Sequence, residues 1–255
     1  MNFRIPVLFV ALACATLYAA NTKNDTKNID KRLPLNPDGR VTLDAHNGSI
    51  QIQTWDRAEI EIHARIEAAG SSDGDIRRFN ETTVEIDGSG AAVRIKSRLP
   101  QNCCSFWPGE NPQIYYTLTA PRSARWTIRN HNAKTEMRDV TAPLHIETHN
   151  GEVRVMNLSG PLNLEMHNGR ANIEFAAFEA GSSVGMHNGS VELTLPRHSK
   201  FDLRSSTHRG SVDSDFPTVT RTRGRGNRDL EGSVNGGGPA LRLSAHNGHF
   251  RLQAK

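Results

Sequence analysis

Seven of the eleven histidines in this chain of 255 residues stand in one short motif. His-Asn-Gly begins at His46, His149, His167, His187 and His246, His131 opens His-Asn-Ala, and His208 opens His-Arg-Gly. Imidazole ligates Zn, Cu or Ni, and it gains charge near an unperturbed pKa of about 6.5. A metal reading rests on His149, His167 and His187, with Glu147 and Glu165 two residues ahead of the first two rings. One Zn with bonds of about 2.1 Å joins nitrogens at most about 4.2 Å apart, less than a strand spacing of about 4.8 Å, so neighbouring side chains must lean together. A pH reading follows from repulsion: charging neighbours at strand spacing loosens or remodels the column in acid. The third reading needs no ligand, only a stacked imidazole ladder that covers a corner of the fold.

The spacing identifies the elements that must hold these rings. From His131 the copies advance by 18, 18, 20 and 21 residues, and the step from His208 to His246 is 38. A fixed period of this size is the mark of a repeat architecture, with the last step taken as about two periods. Aligned on the His, the third residue before it is Ile128, Ile146, Leu164, Val184, Ser205 or Leu243, and the fifth is Trp126, Leu144, Leu162, Ser182, Leu203 or Leu241. The fourth after it is Thr135, Val153, Ala171, Val191, Val212 or Phe250, and the sixth is Met137, Val155, Ile173, Leu193, Ser214 or Leu252. Apolar residues thus alternate on both sides of the motif, as they do on strands with one buried face. Each repeat reads as strand, tight corner, strand.

Gly and Asn tolerate positive φ, which makes Asn47-Gly48, Asn150-Gly151, Asn168-Gly169, Asn188-Gly189 and Asn247-Gly248 the expected turns. Stacked Asn side chains can also hydrogen-bond along a column. The His has no such conformational necessity. Alternation points it outward, together with Glu147 and Glu165, while His145 and Asn163 continue the outward row.

Units of 18 to 21 residues cannot bury an apolar face alone, but stacking them builds a continuous core. The expected fold is all-β: a parallel β-solenoid resembling a right-handed β-helix, regular over 125–255, with longer strands over 39–124. An antiparallel β-sandwich is the runner-up, since turn signals every 8 to about 12 residues suit it too. No helical periodicity is evident.

The first twenty residues place one Arg before an apolar run too short to span a bilayer, as a secretory signal does. Cleavage after Ala19 or Ala20 fits, and a lipoprotein signal ending at Cys14 is the alternative, giving a membrane anchor through lipid. Residues 21–38 are polar and aperiodic and read as a flexible tether. Cys103 and Cys104 then remain in an oxidising compartment, either as a strained vicinal disulfide or as free or intermolecularly paired thiols. Arg221, Arg223, Arg225 and Arg228 lie in a Gly-rich stretch that breaks the period. It reads as a solvated excursion between coils, or as a basic loop gripping polyanions such as lipopolysaccharide. A net charge of +4 gives no specific call for nucleic acid.

The stretch "GRVTLDAHNGSIQIQTWDRAEIEI", the repeated Asn-Gly corners and the ending "LEGSVNGGGPALRLSAHNGHFRL" resemble a bacterial adhesin-like family, a β-strand-repeat domain of unknown function. The resemblance covers roughly residues 39 to 255 and implies a parallel β-solenoid that is secreted or anchored to the envelope. It brings no catalytic residues, and it leaves the histidines unexplained, because related corners more often carry Ser, Thr or Val. A glycan-active β-helix enzyme is the alternative, but the outward acids Asp44, Glu136, Glu152, Glu192 and Asp213 are scattered among Arg154 and Arg170, and no paired-carboxylate arrangement or nucleophile elbow is marked. The expected function is an exported, non-enzymatic solenoid displaying a repetitive surface for adhesion, envelope interaction or scaffolding. Its partners would be envelope glycan, lipopolysaccharide or a protein surface, and no cofactor is implied beyond a Zn, Cu or Ni ion in the His column.

Overall fold

Period-two alternation on both sides of each His demands one buried face running through the whole repeat. The computed structural model describes residues 25–100, 109–217, 220–223 and 228–255. They form β1 (Thr26–Trp55), β2 (Glu59–Glu67), α1 (Asp73–Glu81), β3 (Thr83–Arg98), β4 (Gln113–Pro121), β5 (Arg125–Arg138), β6 (Leu144–Leu158), β7 (Leu162–Phe175), β8 (Ser182–Leu195), β9 (Phe201–Thr207), β10 (Ser211–Ser214), β11 (Thr220–Arg223), β12 (Arg228–Val234) and β13 (Ala240–Ala254). All thirteen strands belong to one sheet, in the order β11-β12-β9-β13-β8-β7-β6-β5-β1-β2-β4, with β10 on β13 and β3 on β1.

From β9 to β1 the neighbours are parallel, and β5, β6, β7 and β8 stack in register one repeat apart. This is the solenoid expected from the period, and the single, mostly parallel sheet replaces the sandwich. The inward positions read from the alternation are all buried except Ser205 and Ser214. The apolar ones among them join one cluster that runs from Leu35 to Leu252.

Both ends of the stack are built alike. The second half of β1 pairs with β5 on one side and with two short partners on the other, β3 along Arg40–Asp44 and β4 along Gly48–Trp55. At the opposite end β13 pairs with β8 on one side and with β9 and then β10 on the other. The terminal level is thus split into two strands at each end. The step of 38 residues accordingly does not continue the period: the last strand of the chain inserts between β8 and β9 rather than stacking after β10.

Three other expectations change. Residues 26–38, expected as tether, are the first part of β1 and pair antiparallel with β2 from Thr26↔Glu67 to Pro34↔Glu59. A ladder is made of backbone bonds and tolerates polar side chains, while Ile29 and Leu33 pack against the core. Lys27 Nζ donates to the carbonyls of Phe79 (2.7 Å) and Asn80 (3.0 Å), which ties the strand to the end of α1. That helix was not expected. It starts on a capping box between Ser72 and Asp75 and buries only Gly74 and Phe79, so it carries too few apolar residues to show a period. Finally, the Arg-rich stretch is not a simple loop: Arg221 and Arg223 lie on β11 and Arg228 on β12, an antiparallel pair at the sheet edge with Arg223 opposite Arg228. Arg225, like the signal segment with Cys14 and the Cys103-Cys104 pair, lies outside the described residues.

Candidate functional site

The strand does not end at the motif. β6 runs from Leu144 to Leu158 through His149, Asn150 and Gly151, and its pairing with β7 passes from Thr148↔Met166 directly to Asn150↔Asn168 and Gly151↔Gly169. The corner is therefore a bend within one long rung. Gly48, Gly151, Gly169 and Gly189 take φ of 112°, 146°, 142° and 134° there, whereas the Asn residues of the motif and Gly248 do not adopt positive φ. The turn thus rests on Gly, and the Asn serves another purpose. A second constraint on the glycine is contact between rungs: a Cβ on Gly169 would lie 2.0 Å from the Gly151 carbonyl oxygen. A column of bare backbone lets the bends stack.

The Asn side chains form a hydrogen-bonded ladder. Nδ2 of Asn132, Asn150, Asn168, Asn188 and Asn247 donates to Oδ1 of Asn47, Asn132, Asn150, Asn168 and Asn188 respectively, at 2.8 to 3.1 Å. Behind the first bends, buried Asn130 donates to Thr135 Oγ1 (3.0 Å) and accepts from Thr148 Oγ1 (2.8 Å), which satisfies polar atoms that the core would otherwise isolate.

All seven motif histidines are exposed, as alternation requires. Their rings stack in the order His46, His131, His149, His167, His187, His246, His208. From His131 to His246 the centroids are 4.7 to 4.8 Å apart with planes within 6° of parallel. His208 continues the stack at 5.0 Å and 11°, while His46 is tilted by 52° at 6.3 Å. His46 and His246 hold a proton less readily than free imidazole; burial is the first cause in both, followed by the neighbouring rings His131 and His187.

Beside the stack lies an open trough of about 850 Å³, floored by outward residues that precede the bend on β6, β7, β8 and β13, among them Glu147, Glu165, Ser183, Gly185, Arg242 and Ser244. Asn163, Ser183 and Arg242 also line its extension of about 520 Å³. Arg129, Arg242 and Gly185 were not singled out from the sequence, because their neighbours come from rungs 18 or more residues away.

The expected metal set does not assemble. Glu147 is engaged elsewhere, 2.6 Å from His145 Nε2 and accepting from Arg129 Nε at 3.1 Å. Glu165 shares the trough with His149, His167 and His187. Parallel rings aim their lone pairs along parallel lines, so one ion cannot lie in the planes of two neighbours. Among the described residues no group of three or more His, Cys, Asp or Glu could hold an ion. Most of the outward acids are also taken: Asp44 by Arg94 (3.2 Å) and Arg129 (3.6 Å), Glu136 by Lys134 (2.8 Å), Glu152 by Arg154 (3.1 Å).

Comparison with known proteins places this architecture. Residues 131–253 match the Toastrack DUF4097 family. The Toastrack match opens on His131, the first ring of the regular stack, and closes one residue before the end of β13. It upholds the resemblance to a bacterial adhesin-like domain of unknown function, and β1 adds a rung in register with β5 although it precedes the matched residues. No curated protein matches the chain. Among solved structures it is similar to a candidate cell adhesion protein from Clostridium sporogenes, with 11% identity and a TM-score of 0.46 over 90% of this chain and 100% of that one. A candidate adhesin from Bacteroides fragilis matches at 11% identity and a TM-score of 0.29, over 89% and 97% of the two chains. A candidate lipid binding protein from Parabacteroides distasonis matches at 10% identity and a TM-score of 0.29, over 90% and 98%. No helix among the described residues is long and apolar enough to cross a membrane.

Proposed function

We propose that this protein is exported and acts without catalysis, displaying the bend column and its trough as a repetitive binding surface for adhesion, envelope interaction or scaffolding. The observation that carries this reading is the exposed line of seven imidazoles beside five Asn–Asn bonds. The apolar core contains none of those rings. Repetition at a strand spacing of about 4.8 Å suits a partner with a repeated structure of its own, such as a glycan chain. The pairing of Asp44, Glu136 and Glu152 with cations supports a role without hydrolysis, because a glycosidase needs two carboxylates facing one sugar.

The test is a glycan array probed with the mature chain, followed by analysis of the bound glycans. Binding with the glycans recovered intact is expected. Release of new saccharide ends would establish the β-helix enzyme instead. Export has its own test: protein recovered from the medium or envelope of an expressing bacterium should begin after Ala19 or Ala20, or at a lipidated Cys14.

A further inference from the structure

Stacked rings show solvent their edges, where the nitrogens are. From His131 to His246 each imidazole lies 4.7 to 4.8 Å from the next and nearly parallel to it. The Asn ladder one residue further along every strand fixes that spacing, so the column cannot spread to separate charges. We propose that this column is an acid-switched docking surface for a linear anionic glycan, a polysaccharide whose carboxylate or sulfate groups recur along the chain. The proposal rests on the display reading above and adds its partner class and its control.

The charges around the column leave the switch to the imidazoles. On the trough side stand Asp44, Glu147 and Glu165 against Arg129 and Arg242. Beyond the bend the outward row carries Lys134, Glu152, Arg170 and His249. Lys96 acts on His46 at one end, and Arg209 on His246 at the other. Carboxylates and permanent cations are thus interleaved, and a neutral column offers a polyanion little net attraction. Acid protonates imidazole, and protonated rings would stand here as a row of like charges at fixed spacing. A bound polyanion relieves that repulsion, so binding and protonation assist each other and protons are taken up on binding.

The chemistry beside the column favours a glycan over a nucleic acid. Ser183 Oγ donates to Asn163 Oδ1 (2.8 Å), an arrangement that turns Asn163 Nδ2 to a hydroxyl acceptor in the trough, where Ser244 stands as well. The large aromatics of the repeats, Trp126, Phe175, Phe178, Phe201, Phe216 and Phe250, are buried, so they give unpaired bases no platform to stack on.

Isothermal titration calorimetry of the full mature chain with dextran sulfate, uncharged dextran and single-stranded DNA, at about pH 7.5 and about pH 5.5, tests this. Dextran sulfate should bind at least about tenfold tighter at the lower pH, with net proton uptake seen on changing the buffer. The variant H149Q/H167Q/H187Q, with its strand circular dichroism checked, should lose most of that gain. Should it fail to fold, the acid gain and proton uptake of the unaltered chain still decide. An equal gain in the variant overturns the proposal. Tighter binding of DNA than of dextran sulfate overturns it as well. Array binding of neutral glycans without any acid gain for dextran sulfate overturns the switch and keeps the display reading, whereas no binding in any arm overturns both.

Discussion

Gly185 and Gly189 lie four residues apart on β8, and an added methyl group meets different surroundings at each. On Gly189, where φ is 134°, it would lie 1.9 Å from the Gly169 carbonyl oxygen; on Gly185 it meets Ser244 Oγ at 3.5 Å, an ordinary contact. Gly189→Ala should therefore cost at least about 2 kcal/mol in urea unfolding, while Gly185→Ala should be neutral or stabilising by up to about 1 kcal/mol. A glycine that the backbone does not require often marks where a ligand comes close, and Gly185 forms part of the trough floor. Titration with Zn, Cu and Ni should give affinities for the chain and for H149S/H167S within about twofold of each other, because parallel rings do not chelate. At this scale the sequence showed which residues recur and that the histidines face outward. It offered the Asn both a turn role and a ladder, and only the backbone angles of the folded chain, with no positive φ at the motif Asn residues, separate the two.

A column of rings has properties that no single ring has. Two unit charges at the separation of His149 and His167, 4.7 Å, repel by roughly 1 kcal/mol even in water. His46 and His246 are already pulled below the ordinary imidazole value, first by burial and then by neighbouring rings. The unfolded chain therefore takes up these protons first, and stability is full above about pH 6.5 and declines as the pH falls towards the lower folded values. Thermal unfolding in the absence of polyanion should show its midpoint falling between about pH 7 and pH 5, with H46Q/H246Q falling less. A flat profile for the unaltered chain would mean that the rings take up protons as readily in the stack as in the unfolded chain. The elements themselves were largely legible, because burial follows the alternation at all but two aligned positions, Ser205 and Ser214. The first part of β1 and helix α1 were not, since one is held mainly by backbone pairing and the other by a cap and the single large anchor Phe79.

For the molecule as a whole, stability accumulates from rung to rung, and the last strand closes the stack from within. β13 joins β8 to β9 and β10, so ending the chain at Pro239 takes from β10 its sheet partner and from β9 its parallel neighbour, leaving β9 paired with β12. Amide hydrogen exchange should then become fast over 201–234 while 144–175 keeps its protection. A period in the sequence reveals that rungs exist, but not their order in space: the long step from His208 to His246 reads as about two periods, whereas in the fold the chain returns to lie between β8 and β9. The measurement that bears most directly on the central claim compares H149Q/H167Q/H187Q with the unaltered chain for thermal midpoint at about pH 7.5 and for glycan-array binding. If the column is a display surface, the midpoints agree within a few degrees and the binding is lost. A variant that melts far earlier, or that binds as the unaltered chain does, would show that the rings serve the fold, or serve nothing that binding can detect.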